Sequence, residues 1–195
     1  MSTAFLDPLE KSICDDVLSI APLDEQEHLH IQDIADWIAS GAPLFRVKKP
    51  DVPLKHLVSY FVLVDPEQNS LLLVDHIKAQ LWLPTGGHVL PGEPPVETVK
   101  RESIEELNLS AVFLKNNTRP FFATVTTTVG LTPGHTDVSL WYLLRGNKHD
   151  FIHYDKTEFT DVEWFTFDEI LESDPVIFDP HLQRFTQKLA GYLNN

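Results

Sequence analysis

Residues Gly86 to Leu109 read GGHVLPGEPPVETVKRESIEELNL, and the rest of the chain is read outward from them. Pro94 and Pro95 suit the first turn of a helix, where a missing N–H costs nothing. From there to Leu109 apolar residues recur at helical spacing. Winding the segment at about 100° per residue puts Val96, Val99, Ile104 and Leu107 in one arc of roughly 140°. Glu102, Glu105 and Glu106 fall in another arc on the opposite side. Like charges three and four residues apart repel by a few tenths of a kcal/mol per pair on an exposed helix. Without a cation there, gathering three carboxylates gives the helix nothing. Clustered hard oxygen donors favour Mg²⁺ or Mn²⁺ over zinc. The preceding Pro84-Thr85-Gly86-Gly87 reads as a loop whose Cβ-free residues let backbone carbonyls approach a metal or a phosphate. Arg101 is expected to pair with Glu93 or Glu97 and to hold that loop against the helix, a structural role.

Gly87, Glu93, Arg101, Glu102, Glu105 and Glu106 fit the pattern G-x5-E-x7-R-E-U-x-E-E-x-G-U, with U a bulky apolar residue. On these positions the chain resembles the Nudix hydrolases. A lone acidic pair on an amphipathic helix would be an ordinary solvated face; six matches at fixed spacing after LWLPTGG are not. Two positions depart from the pattern. Ser103 stands where an apolar residue is expected, at the edge of the apolar arc, with some loss of packing. Asn108 replaces the closing glycine, and asparagine is the next best residue for a left-handed helix cap.

The whole chain sets bounds. With 195 residues, 43% hydrophobic and 23% charged, it has the profile of one globular domain with room for an extension. A net charge of −14, from 15 basic and 29 acidic residues, argues against a nucleic-acid polymer as partner. A nucleotide carrying its own metal remains open. The single cysteine, Cys14, allows neither an intramolecular disulfide nor a paired-cysteine zinc site. The first residues have no signal-peptide pattern and no apolar run approaches the ~18 residues of a membrane helix, so cytoplasm is the default and no membrane partner is expected.

Two helices are expected before the domain, one over about Pro8 to Ile20 and one from near Asp24 to a stop at Gly41. We assign residues 1–50 to this N-terminal helical extension, which packs on the core, covers the site or makes a homodimer, and 51–195 to the Nudix-like domain. The basic cluster Leu44 to Pro50 reads as a linker, or as a place where Arg46, Lys48 or Lys49 meets substrate phosphate. His56 to Val64 and Ser70 to Ile77, around Asp65-Pro66-Glu67-Gln68-Asn69, predict a hairpin. Phe121 to Val129 and Asp137 to Leu144 predict strands joined through Gly130 to Gly134. Glu163-Trp164-Phe165 predicts a short strand leading to a helix at Thr166 to Leu171, and Pro180 to Leu193 a last helix. The alternation suggests a mixed sheet covered on both sides by helices, the α/β/α sandwich that the resemblance implies.

The resemblance implies the reaction too: water attacks one phosphorus of a nucleoside diphosphate linked to a group X, with one to three divalent cations bridging the diphosphate and carboxylates. Glu102, Glu105 and Glu106 match the family's metal ligands, and the Gly86 carbonyl is a further candidate. In the branch that cleaves oxidised nucleoside triphosphates, a glutamate stands six residues before a tryptophan that opens the last strand. Glu158 stands six before Trp164 and is the candidate fourth ligand or base, or else a surface glutamate in a loop. Asp179 falls near that branch's base-contacting position, although a helix N-cap is the commoner role. Trp82 could stack on a base or sit in the core. Asp137 and His135 could line the pocket. ADP-ribose or another nucleotide sugar is the alternative substrate. Neither the proline nor the tyrosine that marks other branches is present, since Thr124, Val125 and Thr126 occupy those positions. A nucleotide-sensing domain without activity would be expected to lose box carboxylates, and this chain keeps them.

Overall fold

The computed structural model describes residues 6–49, 51–128, 131, 134–150 and 152–194. Two helices lead. Helix α1 (Pro8–Leu18) starts on Asp7, whose carboxylate accepts from the Leu9 and Glu10 amides. Helix α2 (Glu25–Ala39) starts on Asp24, as expected, and ends before Gly41 at φ +72°. Seven strands follow: β1 (Lys55–Asp65), β2 (Ser70–His76), β3 (Leu81–Leu83), β4 (Thr85–His88), β5 (Phe122–Thr127), β6 (Thr136–Arg145) and β7 (Phe159–Thr166). Helix α3 (Pro95–Leu107) lies between β4 and β5, and α4 (Phe167–Glu172) and α5 (Leu182–Leu193) close the chain. The predicted Phe121–Val129 strand ends at Thr127; Val129, Gly130 and Pro133 of its connection, like Pro50, lie outside the described residues.

The sheet is mixed. Strand β1 runs parallel to β6, with His56 opposite Asp137, and antiparallel to β4 and to the start of β2. Strands β5 and β7 add antiparallel to β6 and β2. Alternate side chains of β1 and β6 point to opposite faces. On one face Leu57, Phe61, Leu140 and Tyr142 pack with Ile13, Ile34 and Ile38 of α1 and α2 and with Val99 and Leu107 of α3. On the other, Val62, Trp141 and Leu143 pack with Phe167 and Ile170 of α4 and with Leu182, Phe185 and Leu189 of α5. This is a helix–sheet–helix sandwich. The extension belongs to its core, and two ion pairs tie it to α5: Arg184 with Asp24, and Lys188 Nζ with Glu27 at 2.6 Å.

Two expectations are corrected. Thr85 to Gly87 is not a loop but a strand on β1, because Gly86 (φ +147°) brings the backbones together: a Cβ there would meet the Ser59 carbonyl oxygen at 2.1 Å. Helix α3 is also rotated from its expected setting. Ile104 is 56% exposed, whereas Thr98, Ser103 and Glu106 are buried. Ser103 sits in the buried face without loss, because its hydroxyl donates to the Lys100 carbonyl at 3.0 Å. The rotation places one of the three glutamates against the sheet.

Candidate active site

Helix α3 and strand β4 form the site together. Asn108 ends the helix in the left-handed conformation (φ 52°), and the Leu109 amide donates back to the Ser103 carbonyl at 2.9 Å. At its start, Glu93 holds the loop. Its carboxylate takes Arg101 Nε and Nη2, both at 3.0 Å, and the Thr98 hydroxyl at 2.7 Å. Arg101 also donates to the His88 carbonyl, and its partner across the loop is Glu93.

The three helix glutamates have three different surroundings. Glu106 is buried, and one of its oxygens accepts from the Gly86 N–H at 2.8 Å. Glu102 lies over Gly87, where a Cβ would stand 2.0 Å from its Oε1; only glycine leaves room for that carboxylate. Glu105 faces solvent. Arg101 Nη1 reaches Glu102 at 2.5 Å and Glu105 at 3.2 Å. Burial, followed by the charge of Glu102, pushes the Glu106 carboxyl well above its usual range, with Glu158 and Glu105 adding to it. Burial raises Glu102 as well; Arg101 opposes, and Glu105 and Glu158 add to the rise. Glu158, just before β7, therefore lies within the field of both. Of the four carboxylates that converge, Glu102 and Glu106 are held against ionisation in the folded chain, and a divalent cation would relieve that.

Other candidate residues gather on the opposite face. Trp82 of β3 packs edge-on against Phe165 at 5.1 Å, and its carbonyl accepts from the Asp179 amide at 2.9 Å. Asp179 is buried and its carboxylate accepts from the His181 amide at 2.8 Å; the helix begins later than expected, so Asp179 is not its N-cap. Burial lifts its pKa to about 6; the His181 amide opposes and Asp137 adds to the rise. Tyr60, missed in the sequence, joins them. Its hydroxyl is pushed well above its ordinary pKa by burial and by Asp179, Asp137 and Glu106, which sets it between the two groups of acids. Arg46 does not join the carboxylates of α3, for its guanidinium pairs with Asp51 at 2.9 Å. It stands beside a cluster of His56, His88 and His135 with Asp51 and Asp137. Sequence singled out His135 and Asp137 alone; His56 and His88 carry no spacing signal.

A family model described as NUDIX domain matches residues 55–188. No curated protein matches the chain in sequence. Among solved structures, a NUDIX-family hydrolase from Clostridium perfringens superposes with a TM-score of 0.55 at 19% identity, covering 70% of this chain and 97% of that one. A MutT protein from Methanosarcina mazei gives 0.54 at 16% identity over 72% and 96%. An Ap4A hydrolase from C. elegans gives 0.52 at 16% over 71% and 97%. At such identities the likeness is one of fold.

Proposed function

The chain belongs to the Nudix family, hydrolases of phosphoric anhydride bonds, and from that premise we propose that it is a pyrophosphohydrolase cleaving a nucleoside triphosphate, possible oxidised bases included, with release of pyrophosphate. The observation that carries the reading is the convergence of Glu102, Glu106 and Glu158 beside the glycine strand, with Glu105 at the solvent side. Hard oxygen donors in that number suit Mg²⁺ or Mn²⁺. Glu102, Glu106, Glu158 and the Gly86 carbonyl would hold the ion. When bound, it neutralises the diphosphate and makes a coordinated water more acidic.

The chain's own residues do the rest. The Gly86 amide fixes the Glu106 carboxylate, and Gly87 leaves space for Glu102. Glu105, the most exposed of the four, takes the proton of the attacking water. Trp82 and Tyr60 offer ring faces to a base, and Asp137 and Asp179 offer polar contacts at its edge. An Asp179 that is partly protonated near neutral pH can donate to a base nitrogen or oxygen as well as accept. Residues 51–195 form the catalytic unit, with 1–50 as an extension packed on it.

The test is a substrate panel with Mg²⁺ and then Mn²⁺, separating the nucleotide products by chromatography and reading inorganic phosphate after coupled pyrophosphatase. Triphosphates should give phosphate. Glu102→Gln should abolish turnover with the fold intact, whereas parent-like turnover in that variant would overturn the mechanism. Turnover of ADP-ribose or a dinucleoside polyphosphate in preference to every triphosphate would overturn the substrate class. Glu105→Gln should lower kcat with metal affinity kept, and Glu158→Gln should weaken metal binding.

A further inference from the structure

His56, His88 and His135 meet at one end of the sheet, with Asp51 and Asp137 around them. One ligand atom from each of Asp51, His56, His88 and His135 lies within 4.8 Å of every other. The rings of His56 and His88 are 4.8 Å apart, and those of His56 and His135 are 5.3 Å apart. His56 comes from β1, His88 from the end of β4, and His135 and Asp137 from the start of β6. Strand pairing thus fixes most of the group, since His56 is opposite Asp137 and His88 is opposite Val58.

The hydrogen-bond pattern is what sets this group apart from packed histidines. Nδ1 of His56 lies 2.8 Å from the Pro53 carbonyl oxygen, which can only accept, so Nδ1 carries a proton and Nε2 is the nitrogen turned into the group. That Nε2 is wholly buried and has no hydrogen-bond partner. Nε2 of His88 is buried without a partner as well, and so is Oδ1 of Asp137. The Asp137 oxygen stands 3.2 Å from His56 Nε2 and 3.5 Å from His135 Nε2, ion-pair distances to both rings. His135 turns its other nitrogen to the Thr128 hydroxyl at 3.1 Å and to Asp51 at 3.4 Å. Three imidazoles and two carboxylates are thus gathered in a mostly buried place with few hydrogen bonds among them, and a bound cation would satisfy the buried nitrogens of His56 and His88. The hydrogen bond from the outer nitrogen of His56 to a carbonyl is a usual support of a metal-bound imidazole.

We propose that His56, His88 and His135, with Asp51 and Asp137 as flanking carboxylates, form a second metal site that takes a zinc-class first-row ion and is separate from the magnesium-type carboxylate cluster of α3. Imidazole nitrogens suit zinc and its neighbours, whereas Mg²⁺ asks for oxygen. A tetrahedral zinc site with bonds of about 2.0–2.1 Å needs ligand atoms roughly 3.3 Å apart. The two Asp137 separations meet that already, and the wider ones need only side-chain rotation. Asp137 offsets one of the ion's two charges, and Asp51 is shared between the ion and Arg46, with which it pairs at 2.9 Å.

The site is distinct in space. On β4, Gly87 faces Glu102 across the α3 side of the sheet, and the next residue, His88, points to the other side. On β1, Ser59 donates to the Pro95 carbonyl on the α3 side, while His56 and Tyr60 have the opposite parity.

The test uses the whole chain, stripped with chelator and then saturated with Mg²⁺ so that the carboxylates of α3 are occupied. Titration with Zn²⁺, followed by calorimetry, should show one equivalent. His88→Gln and His135→Asn should each weaken it at least about tenfold, and Glu102→Gln should leave it unchanged. X-ray absorption of the zinc-loaded natural chain should show imidazole scattering from two or more histidines, a readout that needs no variant. No Zn²⁺ uptake above the Mg²⁺ background, an oxygen-only shell, or binding that survives both histidine variants but is lost in Glu102→Gln would each overturn the proposal.

Discussion

At the scale of single residues, the glycines and acids of the site make the sharpest predictions. Gly87→Ala puts a methyl group 2.0 Å from Glu102 Oε1. The carboxylate must swing away, and displacement of a reacting group by about 1 Å can lower rates by about 10²-fold. We expect a loss of that order in kcat with an unchanged circular-dichroism spectrum; a variant as active as its parent would mean that Glu102 is not held for catalysis. Asp179 makes a prediction about pH. Its folded-state value of about 6 lies above the ordinary 3.8, so folding favours the protonated acid. That benefit is complete below about pH 4 and is lost as the pH rises through about 6. Asp179→Asn should therefore flatten the stability curve across that window, by about 3 kcal/mol at neutral pH. Urea denaturation at several pH values measures it, and parallel curves for the two proteins would refute it. The helix glutamates and the Glu93–Arg101 pair were legible in the sequence because their offsets are fixed by one helix and one loop. His56 and His88 were not, because only strand pairing brings them together.

At the scale of elements, boundaries were legible wherever a cap or a turn spoke. Asp24 and Thr166 start their helices, and Gly41 and Asn108 close theirs, where the sequence indicated. The setting of α3 was misread because its inward face is only partly apolar. Thr98, Ser103 and Glu106 are each satisfied by a hydrogen bond (to Glu93, to Lys100 and from Gly86), and a count of apolar residues does not see such bonds. The strand at Thr85–His88 was missed for a related reason, since glycines weaken any strand pattern and here they serve close approach. Asn108 allows a direct test of its helix end. At φ 52° a Cβ without a polar side chain is strained, so Asn108→Ala should cost about 1–2 kcal/mol, and Asn108→Gly should cost nothing measurable. Chemical denaturation of the two variants decides it; equal losses would show that the backbone there is not the cause.

At the scale of the whole molecule, the extension and the last helix are one structure. Glu27 of α2 is wholly buried and takes Lys188 of α5, whose ammonium also donates to the Phe121 carbonyl at 2.7 Å. Removing one partner leaves a buried charge alone, a loss of roughly 3–5 kcal/mol. Lys188→Met should show that loss in thermal or urea unfolding, and adding Glu27→Gln to it should restore most of it. If the single variant unfolds like its parent, the two ends of the chain are not coupled through this pair. Composition foretold a domain with an extension but not this bond, since nothing in a linear reading pairs residue 27 with residue 188.

Arg101 bears on the order of events. Its guanidinium rests between Glu102 and Glu105, a resident counter-ion that lets the acidic face fold before any metal arrives. On the proposed function, loading would be a displacement: an incoming cation would compete with a tethered one. The chain should accordingly reach its finished shape in chelator and exchange its metal from that shape, unlike a zinc finger, in which binding and folding are a single event.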